Sequence, residues 1–239
     1  MRAKVNIKAI IFDKDGTLFD FQMSWGGWFY DFIAELCDKN SQKMQQIANA
    51  LRFDETKKRF FNDSQFIAGT LDETIEIIEK CLPDLTKEII EKQVQTSLSN
   101  LVQKPTTNLI LLLNQLKSRN YKLGVVTNDQ EKASRQQLEK AKILSLFDSI
   151  LGCDSGFGSK PSPGPLIASC KILNVPCDQT LMIGDSTHDL IAAKSAGVPS
   201  LGVLTGTAVK SDLISYTPNI LPNIESLPQW LNSLGKQLN

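Results

Sequence analysis

Asp13-Lys14-Asp15-Gly16-Thr17-Leu18 follows directly on the apolar run Ala9-Ile10-Ile11-Phe12. A run that short, closed by an Asp-Gly turn, reads as a buried strand whose carboxyl end opens into a loop. Side chains two apart on an extended chain point the same way, which puts Asp13 and Asp15 on one face of that mouth. Two carboxylates held there suit a nucleophile beside a proton carrier, a hard-metal site, or both. A polar strand end with an ordinary Asp-Gly turn is the competing explanation, and these six residues alone do not separate the two.

Two later apolar runs end in polar tips as well. Val125-Val126 delivers Thr127-Asn128-Asp129, and Leu181-Met182-Ile183 delivers Gly184-Asp185, then Ser186-Thr187-His188-Asp189. Between them lies Ser159-Lys160-Pro161, a cation in a Gly/Ser/Pro-rich loop. Taken singly, Thr127 is a strand-end hydroxyl and Lys160 a solvated loop cation. Ligands of open α/β sheets bind beyond the carboxyl ends of the strands, however, so tips on three different strands point to one shared site.

The elements that must position these residues alternate. A helix over Thr106–Arg119 precedes the strand Lys122–Val126, a helix spans Gln130–Lys140, and a short apolar segment follows at Ser149–Leu151. A helix over Pro163–Leu173, the strand Leu181–Ile183, a helix over Thr187–Ala196 and the strand Leu201–Leu204 complete the series. Near-continuous apolar strands alternating with helices predict an α/β fold, a doubly wound parallel sheet with a Rossmann-like core, to which Ile7–Phe12 contributes the first strand.

Between Trp25 and about Leu101 the pattern is helical throughout, with Trp25, Trp28, Phe29, Phe32, Ile33 and Leu36 at the spacing of one helical face and no convincing period-2 strand. The expected organisation is therefore a core of residues 1–20 and 104–239 with an all-helical insertion over 21–103. The aromatic stripe reads as the core of that insertion. Lys57, Lys58 and Arg59 read as a solvated helix face that an anionic substrate could also meet, and 62–70 as a candidate substrate-facing loop.

Composition narrows the class. The 239 residues are 41% hydrophobic, and 26 Lys+Arg balance 26 Asp+Glu, so no global field favours nucleic acid or an anionic membrane. The alternating charged and apolar N-terminus reaches Asp13 too soon for a signal-peptide core, and Leu109–Leu113 is far too short to span a bilayer. Five cysteines match no zinc or redox spacing, so a reduced cytoplasmic protein is expected. No Gly-x-Gly-x-x-Gly turn follows the first strand, which argues against NAD.

In combination the motifs resemble the haloacid dehalogenase superfamily of aspartate-nucleophile phosphohydrolases. Asp13 to Thr17 matches its Asp-x-Asp-Gly-Thr motif, Thr127 its strand-end Ser/Thr, Lys160 its lysine, and Gly184 to Asp189 its Gly-Asp-x-x-x-Asp motif. All four occur in order, and the insertion is similar to the small helical cap of phosphoglycolate phosphatase-like members. Ser159 stands where many relatives have Gly, and Gly164 replaces a commonly acidic residue.

The resemblance implies Asp13 as nucleophile and Asp15 as general acid and base. It implies Thr127, Asn128 and Lys160 as phosphoryl-binding groups. It also implies Mg²⁺ held by Asp13, the Asp15 carbonyl and Asp185, with Asp189 facing the same site or orienting its waters. His188 falls in a variable slot.

The implied reaction is Mg²⁺-dependent hydrolysis of a small phosphorylated metabolite, 2-phosphoglycolate first among candidates, with a cap that closes over the site. A sugar-phosphate mutase of the same superfamily is the nearest rival. A phosphate-accepting signalling receiver is the non-enzyme alternative, although its acceptor should not sit on the first strand. Asp15 disfavours a true dehalogenase, whose motif lacks the second Asp.

Overall fold

The structure is a computed structural model that describes residues 6–68, 71–98 and 101–236; Arg2–Val5 of the alternating N-terminus and positions 69 and 70 of the candidate loop lie outside these. The chain divides into two compact units, Met1–Asp20 with Pro105–Asn239, and Phe21–Lys104.

The first unit opens with β1 (Ala9–Phe12). The second comprises a π-helical turn (Gln22–Gly26), α1 (Gly27–Leu36), α2 (Ser41–Ala50), β2 (Phe53–Asp54), β3 (Arg59–Phe60), α3 (Gln65–Ala68), α4 (Leu71–Cys81) and α5 (Lys87–Leu98). The chain then returns to the first unit with α6 (Leu109–Ser118), β4 (Lys122–Val126), α7 (Glu131–Lys140), β5 (Ser149–Leu151), α8 (Gly164–Leu173) and β6 (Thr180–Gly184). It ends with α9 (Thr187–Ala196), β7 (Ser200–Val203), α10 (Lys210–Leu213), β8 (Ile220–Leu221) and α11 (Leu227–Lys236).

The sheet of the first unit has the order β5-β4-β1-β6-β7-β8, and each neighbouring pair is parallel. β1 is central, and its four apolar residues alternate between two cores, as a strand covered on both faces must. Ile10 and Phe12 pack with Leu123, Val125, Leu181 and Ile183 against Leu112 and Leu116 of α6 and Leu227 and Leu231 of α11. Ala9 and Ile11 pack with Val126 and Met182 against Leu166 and Leu173 of α8 and Ala192 and Ala193 of α9.

Local capping sets where the helices begin. Asn108 accepts from the Leu111 N–H (3.1 Å) at the start of α6, and Ser186 with Asp189 forms a capping box on α9. Gly197, at φ 68°, supplies the left-handed residue that ends α9.

Among its described residues the regular structure of the second unit is helical apart from one antiparallel pair, β2 with β3, of two residues each. Strands that short show no alternation, which is why the sequence pattern does not reveal them. The aromatic stripe is core: Phe29 is fully buried, Trp28 stacks on Phe32 at 5.3 Å, and Phe60 stacks on Phe66 at 4.3 Å. Of the basic run, Lys57 pairs with Asp54 (3.9 Å), while Lys58 pairs with Asp31 (3.7 Å) and lies over the Tyr30 ring. Arg59 belongs to β3 rather than to a helix face.

Candidate active site

Three adjacent strands deliver the site. Phe12 of β1 is in register with Val125 of β4 and Ile183 of β6, so Thr127 and Asp185 follow one residue beyond the level at which Asp13 leaves β1. The Asp13 N–H donates to the Ile183 carbonyl (2.8 Å) and the Thr127 N–H to that of Leu151 (3.0 Å), which fixes both departures.

Asp13, Asp185 and Asp189 are buried, and one carboxylate oxygen from each lies within 4.8 Å of the others. The buried Lys160 ammonium enters this cluster from the loop after β5. It donates to Asp13 Oδ1 (2.5 Å) and to Asp189 Oδ1 (2.6 Å). Asn128 anchors the lysine by a reciprocal pair: Asn128 Nδ2 donates to the Lys160 carbonyl, and the Lys160 N–H donates to Asn128 Oδ1, both at 2.9 Å. This pairing ties the loop that carries Lys160 to the tip of β4.

Asp189 is held at both oxygens. While Oδ1 faces Lys160, Oδ2 accepts from the Ser186 N–H (3.1 Å) and hydroxyl (2.6 Å) in the capping box. His188 lies beside it in the first turn of α9, partly buried. The buried Thr127 hydroxyl accepts from the Asp129 N–H (3.2 Å).

Asp185 sits in a slot between glycines. A Cβ on Gly16 or on Gly206 would overlap its carboxylate, and Gly16 additionally has φ +86°. Thr207 N–H donates weakly to Asp185 Oδ2 at 3.4 Å, and the Thr205 hydroxyl ties this loop to the Gly16 carbonyl at 2.6 Å. Gly164 has a comparable reason: a Cβ there would overlap the Phe157 carbonyl, so an acidic side chain has no room.

Burial dominates the electrostatics of the cluster. Burial pushes the Asp13 carboxyl up to about 7, opposed by Lys160 and reinforced by the Asp189 and Asp15 charges. Burial, then the charges of Asp13 and Asp189, raise Asp185 well above the ordinary carboxylate range. Lys160 is driven the protective way: burial disfavours its charge, but Asp13 and Asp189 outweigh burial and hold it protonated. All-oxygen donors, and a buried Asp185 with one long hydrogen bond to Thr207, fit a hard divalent cation. Asp13, Asp185 and Asp189 could each offer an oxygen to it; Lys160 takes one oxygen of Asp13 and one of Asp189, and the helix cap takes the other oxygen of Asp189.

Two features escape the sequence reading. Lys14, the variable position of the first motif, is fully buried and pairs with both Asp15 and Asp129, the latter at 3.0 Å. Its spacing carries no signal. The Thr205-Gly206-Thr207 loop follows β7, so the strand-tip rule leads to it directly.

The description haloacid dehalogenase-like hydrolase belongs to a family model that matches residues 10–203, a span that contains every residue of this cluster. Pyrophosphatase PpaX of Anoxybacillus flavithermus is 25% identical over 240 residues, 97% of this chain and 98% of that protein. The phosphoglycolate phosphatase of Psychrobacter arcticus is 29% identical over 216 residues, 86% of this chain and 90% of that protein. A crystal structure assigned to a β-phosphoglucomutase of Thermotoga maritima superposes with a TM-score of 0.74 at 22% identity, over 95% of this chain and 99% of that one, a likeness of fold. With the family match spanning most of the chain and the acidic cluster at its strand tips, the chain belongs to the haloacid dehalogenase-like hydrolase family.

Proposed function

We propose that this hydrolase is a Mg²⁺-dependent phosphatase that acts on a small phosphorylated metabolite through an aspartyl-phosphate on Asp13. The observation that carries the reading is Asp13 gripped by Lys160 inside a cluster of three buried carboxylates at the mouth of the sheet. The enzyme is a haloacid dehalogenase-like phosphatase, in keeping with relatives named phosphoglycolate phosphatase and pyrophosphatase. The first substrate to test is 2-phosphoglycolate. In this reading residues 1–20 and 105–239 are the catalytic core and 21–104 the cap domain.

An Asp13 carboxylate oxygen attacks phosphorus. Its O–P bond forms as the ester P–O bond breaks, and the leaving oxygen takes a proton from Asp15. Water then attacks the phosphorus of the aspartyl-phosphate and gives its proton to Asp15, releasing Asp13 and inorganic phosphate. Lys160 presents fixed positive charge to the phosphoryl oxygens, and the Thr127 hydroxyl with nearby backbone N–H groups holds them.

A phosphate dianion needs help to approach this cluster, since like charges ~4 Å apart repel by roughly 4 kcal/mol at an effective dielectric of 20. Asp13, the Asp15 carbonyl and Asp185 would hold Mg²⁺, which when bound would supply the charge neutralisation that makes the carboxylates compatible with that dianion.

All five cysteines are free thiols, which suits a reducing, cytoplasmic setting. Among the described residues no helix is long and apolar enough to cross a membrane.

Phosphate release from a panel of phosphorylated metabolites, with and without Mg²⁺, tests the proposal. Metal-dependent release of inorganic phosphate supports it, and silence across the panel in both conditions contradicts it. An isomerised sugar phosphate without phosphate release would mark a mutase instead.

A further inference from the structure

Lys14 is an unusual residue to find where it lies. It is among the largest fully buried side chains of the chain, yet it carries an ammonium. That ammonium pairs with Asp15 from the first motif and, at 3.0 Å, with Asp129 from the tip of β4. The arrangement parallels Lys160, which bridges Asp13 and Asp189. Two lysines thus divide four acidic side chains of the site between them.

As a stability device a buried ion pair is poor, because desolvation offsets most of its Coulombic gain and an apolar side chain packs as well. Its distinctive effect is directional. Asp15 bridges Phe19 through its backbone just after β1, and its side chain is partly exposed, so backbone pairing alone does not fix its carboxyl. We propose that Lys14 is a positioning residue for Asp15, aiming that carboxyl at the leaving oxygen of the substrate from an anchor it shares with Asp129. The shared anchor matters, because Asp15 is tethered without having the cation to itself.

The inference rests on the phosphatase reading and deepens it. It concerns only the proton delivered as the ester bond breaks, so its signature is the leaving group. An alkoxide needs that proton and p-nitrophenolate does not. General acid–base assistance contributes about 10²–10⁴-fold where it is required.

The test is single-turnover product release by the full-length enzyme with Mg²⁺, comparing the alcohol freed from an alkyl phosphate that the wild-type enzyme turns over, 2-phosphoglycolate first, with p-nitrophenol from p-nitrophenyl phosphate. The substitution Lys14→Met should slow alcohol release at least about 10-fold more than p-nitrophenol release. Lys14→Gln, which keeps a polar donor on a slightly shorter stem between Asp15 and Asp129, should show the same split in smaller degree, and it decides the matter if circular dichroism shows Lys14→Met unfolded. Equal slowing of both products in folded variants, or no slowing, overturns the role of Lys14. If the wild-type enzyme releases neither product from any phosphoester, the phosphatase reading itself fails, and the variants are not needed to see it.

Discussion

Gly206 approaches Asp185 so closely that one added carbon would overlap the carboxylate, and Gly16 is close enough to do the same. The position of the acid at the tip of β6 is therefore set by the absence of side chains on two other loops. Substituting Gly206→Ala should displace the Asp185 carboxylate and lower metal affinity and activity by about 10–100-fold, the usual effect of disturbing a ligand's supporting residues. Calorimetric Mg²⁺ titration beside a thermal melt checks this, since the affinity should fall while the fold persists.

Metal binding should compete with protons. Burial holds the Asp13 carboxyl at about 7 and raises Asp185 well above the ordinary range, so both tend to be protonated where a cation needs them ionised. Apparent Mg²⁺ affinity should weaken as pH falls through about 7. The sign for metal-free stability is opposite: folded pKa values raised above the unfolded 3.8 mean the native state binds the extra protons, so stability rises as pH falls from about 7 towards 3.8. Melting curves across that window, with and without Mg²⁺, should diverge most at the alkaline end.

Asp185→Asn removes one of the crowded charges. The metal-free variant should melt higher than the metal-free wild type, and Mg²⁺ should no longer raise its melting temperature. A variant that still gains stability from Mg²⁺ would place the metal elsewhere.

Lys160→Met leaves Asp13 and Asp189 buried without their shared cation. Removing one partner of a buried pair costs about 3–5 kcal/mol, so chemical denaturation should show a loss of that order along with loss of activity.

Away from the site, Asp148 tests the account of the sheet's edge. Burial alone would raise its pKa, but the Leu123 N–H (2.9 Å), Lys117 (3.2 Å) and Lys122 (3.6 Å) together hold it below its ordinary value. The stability it contributes is full above the unfolded carboxylate pKa and is lost as pH falls through the depressed folded value. Asp148→Asn should cost about 1–2 kcal/mol at neutral pH, after allowing for partial exposure. Urea melts of the two proteins should converge in acid.

What the sequence discloses of this fold depends on how far each signal is local. β1, β4, β6 and β7 are short apolar runs ending in polar tips, and the helices between them carry their own periodicity, so the parallel sheet follows from pattern. The reading stops at Leu204, however, while β8 and α11 complete the sheet and cover one face with Leu227 and Leu231. In the site, the strand-end acids and Lys160 are legible from their motifs. Their division between two lysines is not, because nothing in the spacing tells that Lys14 turns inward to meet Asp129. Nor does the spacing tell that Asn128 pairs with the Lys160 backbone.

The central claim, that Asp13 accepts the phosphoryl group, is tested most directly by acid-quenching the enzyme during turnover of a ³²P-labelled phosphoester and mapping the label. The account predicts an acid-stable, hydroxylamine-labile label on the peptide carrying Asp13, absent from the Asp13→Asn variant, which should fold normally and turn over nothing. Label on another residue, or metal-dependent phosphate release by Asp13→Asn, would contradict it.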